Sequence, residues 1–315
     1  MQHRKLGRSG LSCAPLVLGC HVFGWTVDEA ASCEILDVFT DRGFALIDTA
    51  DTYSTWVPGH QGGESESIIG NWLKVTGKRD QVLIATKVGA DMKNVGKGLS
   101  RTHIIRSAER SLRRLGTDRI DLYLAHFDDT AVAFEETLEA FASLIESGKV
   151  RAIGASNYSA PRLTGALAAS RAHGLPLYSC LRPHYNLVMG AFYEGDLRQL
   201  CLMEDLGVLP FRGLEAGFLT DKYRSIGDTI GAARGAVVAR ILDARSLDIL
   251  GELDSAALRF NATPAQIAVA WLLAQPGITA PIVSVTSLAQ LTEIFGATTM
   301  TLDARTLMRL DLVSA

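Results

Sequence analysis

Paired cysteines are absent from this 315-residue chain. Cys13, Cys20, Cys33, Cys180 and Cys201 are scattered, odd in number and never in a C-x-x-C spacing. That usage suits free thiols in a reducing compartment and argues against a disulfide frame or a zinc ribbon. An excess of charge is also missing: the formal net charge is −3 with 21% charged residues, which gives no reason to expect a nucleic-acid or membrane-surface partner. No segment approaches 18 uninterrupted apolar residues, and "MQHRKLGRSG" at the start has no apolar signal core, so the expected location is cytoplasmic. The seven histidines form no H-x-x-x-H or E-x-x-H set, so no metal is expected. Neither G-x-G-x-x-G after a strand nor G-x-x-x-x-G-K-[ST] occurs, which removes the two commonest nucleotide cradles. Low-complexity tracts, sharp repeats and Pro/Ser-rich linkers are likewise lacking, so residues 1–315 read as a single domain.

What is present is a rhythm. Residues 4–18 read as two short strands around a Gly-containing turn, an N-terminal hairpin. Apolar strand-like runs then recur at 15–19, 45–48, 81–87, 120–126, 150–156, 177–182, 207–211 and 281–285. Amphipathic helical patterns separate most of them. Residues 101–116 put Ile104, Ile105, Ala108, Leu112 and Leu115 on one stripe, and 134–149 does likewise, stopping at Gly148. Eight strands alternating with helices in one undivided chain predict parallel βα units, and a (β/α)8 barrel rather than a doubly wound sheet. The segment 221–245 reads as a long insertion after the seventh strand, of the kind that shapes a site.

In such a barrel, reactive groups stand where strands run out at their C-terminal ends. Those ends carry Asp48, followed by Tyr53, then Lys87, then His126. Singly, each has an ordinary explanation: a helix cap, a snorkelling lysine, a buried histidine. Together they make a chemical unit. A phenol titrates near pH ~10, and a neighbouring ammonium held by a carboxylate lowers that value. An imidazole alongside can hydrogen-bond a carbonyl oxygen as it gains charge. The unit protonates a carbonyl while something else delivers hydride to carbon.

The motifs "LVLGCHVFG" (16–24), "IDTADTY" (47–53), "ATK" (85–87), "LYLAH" (122–126), "IGASNYS" (153–159), "HYNLV" (184–188), "GFLTDKY" (217–223) and "AWLLAQPGITAPI" (270–282), in this order, resemble the aldo-keto reductases nearly end to end. The resemblance implies a (β/α)8 barrel with Asp48, Tyr53, Lys87 and His126 as the catalytic set, binding NADP(H) by preference, with NAD(H) as the alternative. It places Ser156 and Asn157 on the nicotinamide carboxamide, although Ser159 and its neighbours also suit a helix start. Phe211 aligns with the aromatic that stacks on the nicotinamide ring. Leu214 falls in the following loop, and Ser284, Thr286 and Gln290 fall in the segment that holds the adenosine 2′-phosphate.

The chain departs from the family pattern at three places. Arg182 replaces a carboxamide-holding Gln, Arg212 replaces a small hydroxylated residue beside the pyrophosphate, and 281–296 has no Lys or Arg. Arg234 or Arg240 in the insertion could reach across, and Ser287 doubles as an N-cap. For the substrate, Trp25, Trp56, Phe127 and Asp128, with Phe23 and Asp129 close by, suggest a small carbonyl or polyhydroxylated molecule; the two acids equally suit the start of the next helix. Two other functions fit the same residues less well. One is a nucleotide-binding regulatory subunit of the same fold; the other is Schiff-base chemistry at Lys87.

Overall fold

The computed structural model describes residues 2–92 and 95–315. Two short strands open the chain, β1 (Arg4–Lys5) and β2 (Ser12–Cys13), paired antiparallel as the predicted hairpin. Eight parallel strands follow: β3 (Val17–Gly19), β4 (Leu46–Asp48), β5 (Leu83–Val88), β6 (Ile120–Ala125), β7 (Val150–Ser156), β8 (Cys180–Arg182), β9 (Gly207–Val208) and β10 (Ile282–Val283). Seven lie inside the eight apolar runs, and β5 passes the end of its run, 81–87, by the one residue Val88. They are nearly all buried, as strands covered on both faces must be.

The sheet order β10-β3-β4-β5-β6-β7-β8-β9 curls round to make a (β/α)8 barrel. Backbone bonds close the seam: Thr279 N–H donates to Val208 O at 2.9 Å, and Ile282 N–H to Pro210 O at 2.7 Å. Strand β9 is shorter than the run 207–211 because Pro210 has no N–H to give the ladder.

The helices are α1 (Glu29–Asp41), α2 (Glu64–Thr76), α3 (Arg101–Leu115), α4 (Phe134–Glu146), α5 (Ala160–His173), α6 (Asp196–Met203), α7 (Gly235–Val238), α8 (Ala244–Phe260), α9 (Pro264–Ala274), α10 (Leu288–Ala297) and α11 (Ala304–Ser314). Local chemistry sets several boundaries. Ser100 accepts from His103 N–H to start α3, and left-handed Gly116 ends it. Ser287 caps α10 as expected. Ser159 stands at the N-cap of α5, but its hydroxyl makes no capping bond. Helix α4 begins at Phe134, later than the acids at 128 and 129 suggested, because Ala133 is the N-cap. Segment 221–245 is mostly irregular, holding a 3₁₀ turn at Ile226–Thr229, the single turn α7 and the first two residues of α8.

Leu6 and Leu11 of the hairpin pack inside the barrel against Val17, Leu46, Ala85, Leu122 and Leu209. Gly7 (φ +51°) lets that hairpin lie on the strand ends, since a Cβ there would sit 2.4 Å from Ser179 O and Gly207 N. One end of the barrel is therefore stoppered. Among the described residues no helix is long and apolar enough to cross a membrane.

Candidate active site

Inward-facing side chains alternate along each strand, so a residue two positions beyond a core residue shares its face. Leu46, Ala85, Leu124, Cys180 and Leu209 belong to the barrel interior. Two positions on, the same face carries Asp48, Lys87, His126, Arg182 and Phe211. The hydrophobic layer thus hands over to a polar one at the open end, where a cavity of about 1170 Å³ begins.

The acid, phenol and amine converge there. Lys87 Nζ lies 2.9 Å from Asp48 Oδ1 and donates to Tyr53 Oη at 3.0 Å. Tyr53 donates to Asp48 Oδ2 at 3.2 Å. Lys87 also donates to the carbonyl of Thr49, which fixes its ammonium against the loop that carries Tyr53. The His126 ring stands edge-on to Tyr53, centroids 6.3 Å apart, and both line the cavity.

A fifth group joins them. Arg182 Nη2 donates at 3.0 Å both to Asp48 Oδ2 and to Tyr53 Oη, and its guanidinium lies 4.4 Å over the Phe211 ring. Resemblance put Arg182 against the cofactor; the side chain lines the cavity and also bonds into the acid–phenol–amine cluster. The strand period carried that signal, because Arg182 is two residues beyond the interior Cys180.

Burial and these charges set the protonation states. Burial would raise the Asp48 carboxyl, but Arg182 and then Lys87 outweigh it and hold it below the usual range. Burial, helped by Arg182, pushes Lys87 down to about 7 against the pull of Asp48. Burial raises Tyr53 above the ordinary phenol value; Arg182 opposes this and Asp48 adds to it. The sequence-based expectation of a lowered phenol is thus reversed in the resting site: Tyr53 is a neutral, proton-bearing group. Burial, with Lys87 and Arg182, also keeps His126 neutral.

The remaining residues divide by position. Ser156 is fully buried and donates to Arg182 O at 3.1 Å, outside the cavity lining. Asn157 lines the cavity in a left-handed conformation (φ 59°), its Nδ2 donating to His126 O at 2.9 Å. Arg212, Leu214, Ser284, Thr286 and Gln290 all line the same cavity, so it runs from the Tyr53 cluster to the N-terminus of α10. Arg212 pairs with the buried Glu215 at 3.2 Å. Gln290 Oε1 accepts from the backbone and hydroxyl of Thr286. Of the insertion arginines, Arg234 lines the cavity, 5.6 Å over the Trp25 ring, and Arg240 does not.

Trp25, Trp56 and Phe127 stand at the mouth. Asp128 does not: Arg162 holds its carboxylate through two bonds at 2.6 and 2.9 Å, and Asp129 accepts from Leu99 N–H. Phe23 is buried in the core.

Two features were missed in the sequence. His21 stacks on Trp56 at 4.4 Å and meets Tyr53 edge-on at 5.2 Å. Its place just past "LVLG" was the available signal. The other is a buried brace: His184 Nε2 and Glu215 Oε2 lie 2.5 Å apart, and Asn186 Nδ2 donates to the same oxygen at 2.7 Å. It secures a loop in which Arg212, Glu215 and Ala216 all have positive φ. Glu215 sits far along the chain from its partners, so no local pattern announced it. No group of three metal-ligating side chains occurs among the described residues.

A (β/α)8 barrel with a buried polar cluster and a large cavity at the C-terminal ends of its strands is an enzyme-type scaffold, and comparison with known proteins specifies the family. Residues 15–315 match the model of the aldo/keto reductase family, and the chain belongs to that family. It is 32% identical over 299 residues to aldo-keto reductase YhdN of Bacillus subtilis (strain 168), covering 88% of this chain and 82% of that protein. It is 29% identical over 323 residues to L-glyceraldehyde 3-phosphate reductase of Escherichia coli (strain K12), covering 99% and 92%. A putative voltage-gated potassium channel subunit beta of Schizosaccharomyces pombe is 31% identical over 305 residues, covering 92% and 86%. The chain is therefore an oxidoreductase of a family that uses NAD(P)H and acts on small molecules.

Proposed function

We propose that this protein reduces the carbonyl group of a small aldehyde, ketone or sugar-like hydroxylated compound, and reverses that reaction, with Asp48, Tyr53, Lys87 and His126 as the working set. One observation carries the reading: Tyr53 lines a large cavity while its Oη touches Lys87 Nζ at 3.0 Å and Asp48 Oδ2 at 3.2 Å. A bound reduced nicotinamide supplies the hydride; the chain must do the rest. Tyr53 holds a proton at neutral pH and passes it to the carbonyl oxygen as charge develops there. Neutral His126 has one N–H to offer that oxygen and polarises it without competing for the proton. Asp48 anchors Lys87, and the cationic side chains stabilise the phenolate that remains.

The lining of the cavity fits a dinucleotide. Asn157 is at the chemical end, Arg212 also lines the cavity, and the hydroxyls of Ser284 and Thr286 precede the N-terminus of α10, a ready anion site. We take NADP(H) as the preferred cofactor and NAD(H) as second. Glu293, also on the cavity wall, bears on that order, because an unscreened carboxylate there would repel a 2′-phosphate. Titrating NADPH and NADH by tryptophan quenching decides it, and tighter NADH binding replaces the preference. A cytoplasmic location belongs to the same reading.

The aromatic mouth of His21, Trp25 and Trp56 suits a ring or an extended hydroxylated chain. Turnover of an aldehyde, ketone and sugar panel, followed by nicotinamide absorbance, tests the activity. Tyr53→Phe should lower kcat by about 10²- to 10⁴-fold with dinucleotide affinity nearly unchanged. Full turnover by that variant removes Tyr53 as the proton donor.

A further inference from the structure

Building on that reading, we propose that Arg182 is a catalytic residue: the permanent cation that receives the negative charge left on Tyr53 when the phenol gives up its proton. The geometry is direct. The phenol oxygen accepts N–H bonds from Lys87 Nζ and Arg182 Nη2, each at 3.0 Å. The two Asp48 oxygens divide between the same cations, Oδ1 at 2.9 Å from Lys87 and Oδ2 at 3.0 Å from Arg182. A phenol has one proton and two lone pairs. Both lone pairs are already engaged by charged donors, so once the hydroxyl turns from Asp48 Oδ2 to a substrate oxygen and gives up its proton, the phenolate keeps the two N–H bonds it already accepts. The Phe211 ring under the guanidinium, itself stacked on His184 at 5.0 Å, keeps Nη2 aimed at the oxygen.

The two cations are not equivalent. Guanidinium keeps its proton throughout the working range of a protein, whereas ammonium yields its own readily when buried. Lys87 is completely buried and shares its small space with a second positive charge. Asp48 pulls it up, Arg182 and burial push it down, and the balance falls near pH 7. Of the two cations, Lys87 therefore gives up its charge first as pH rises. The other titratable or charged groups around the cluster are Cys20, Cys180, His21, His126 and Asp51, with Arg212 and Arg234 acting through His21. Burial holds both histidines neutral and Cys20 and Cys180 as thiols, so none replaces a missing guanidinium.

The test uses the full chain as wild type, Arg182→Gln and Arg182→Lys, each checked for folding by circular dichroism. In the first arm, biosynthetic [13Cε]lysine reports the titration of Lys87 by NMR in dinucleotide-free protein, the resonance being assigned by its loss in Lys87→Met. Removing the guanidinium should raise the Lys87 midpoint by at least about one pH unit. In the second arm, kcat is followed from pH 6 to 10 with the best carbonyl of the panel. The wild type should hold its rate at alkaline pH. Arg182→Gln should lose at least about tenfold there, with the midpoint that NMR assigns to Lys87. Arg182→Lys, with a cation that can titrate, should recover most of kcat at pH 7 yet fall at alkaline pH, and it stands in if the glutamine variant does not fold.

An unmoved Lys87 midpoint, or alkaline profiles that match the wild type in both variants, overturns the role of Arg182 while leaving the carbonyl-reductase reading in place. A wild type without turnover, but with the Lys87 midpoint shifted by the substitution, overturns that reading and the catalytic role together.

Discussion

Single buried groups set how this protein responds to acid. Burial, reinforced by Arg234, pushes His21 down to about 3, and His126 is also held well below its ordinary value. A depressed folded-state pKa contributes stability that is present above the unfolded value, near pH ~6.5, and lost as pH falls below it. Asp51 has the opposite sign. Burial, then the charge of Glu66, raise it to about 8, so it keeps its proton in the folded state across the acid range. Its contribution is present below the unfolded carboxylate value, near pH ~4, and lost as pH rises through 8. Between about pH 4.5 and 6 the two histidines oppose one carboxyl. These three groups should therefore make stability drop with acidification by about 1.4 kcal/mol per pH unit, and His103, lowered chiefly by burial, adds to that slope. Asp51→Asn should steepen that slope and His126→Asn should flatten it, as read from urea midpoints at each pH. Slopes that do not move with either substitution would assign the acid sensitivity to other groups.

At the scale of elements, packing between helices leaves little slack. Gly70 lies in α2, where a Cβ would fall 2.1 Å from the carbonyl oxygen of Arg114 at the end of α3. That contact is with backbone, which cannot swing aside. Gly70→Ala should cost about 1–3 kcal/mol through separation of the two helices, although alanine is the better helix former. Urea denaturation checks the sign; a gain in stability would mean that α3 retreats freely. The elements themselves were largely legible in the sequence, because β-branched runs and a 3.6-residue stripe are local signals. Seven barrel strands fall inside the apolar runs, β5 overshoots its run by Val88 alone, and α3 matches its stripe to one residue. Strand ends were less legible, since Pro210 shortens β9 only through its effect on the ladder. The acids before α4 mislead for a similar reason: Asp128 answers to Arg162, 34 positions away, rather than to the helix dipole.

For the molecule as a whole, the legibility of the site follows from the barrel. Asp48, Lys87 and His126 could be placed together because parallel strands put their C-terminal ends on one rim, so adjacency in space follows strand order. Tyr53 depended on a short loop from the same strand. The orientation of Arg182, the His184–Glu215 brace and the stacking of His21 on Trp56 depend on side-chain directions and long-range pairing, which no local window contains. The hairpin at the opposite rim has its own consequence. With Leu6 and Leu11 lodged among the interior side chains, traffic through that side is shut, and whatever reacts beside Tyr53 comes and goes by a shared doorway. Two molecules that meet in such a room must queue: the one seated deeper arrives first and departs last. Product-inhibition kinetics should accordingly be competitive between the two nucleotide forms and not between the two carbonyl-side compounds; random-order patterns would point to a second way in.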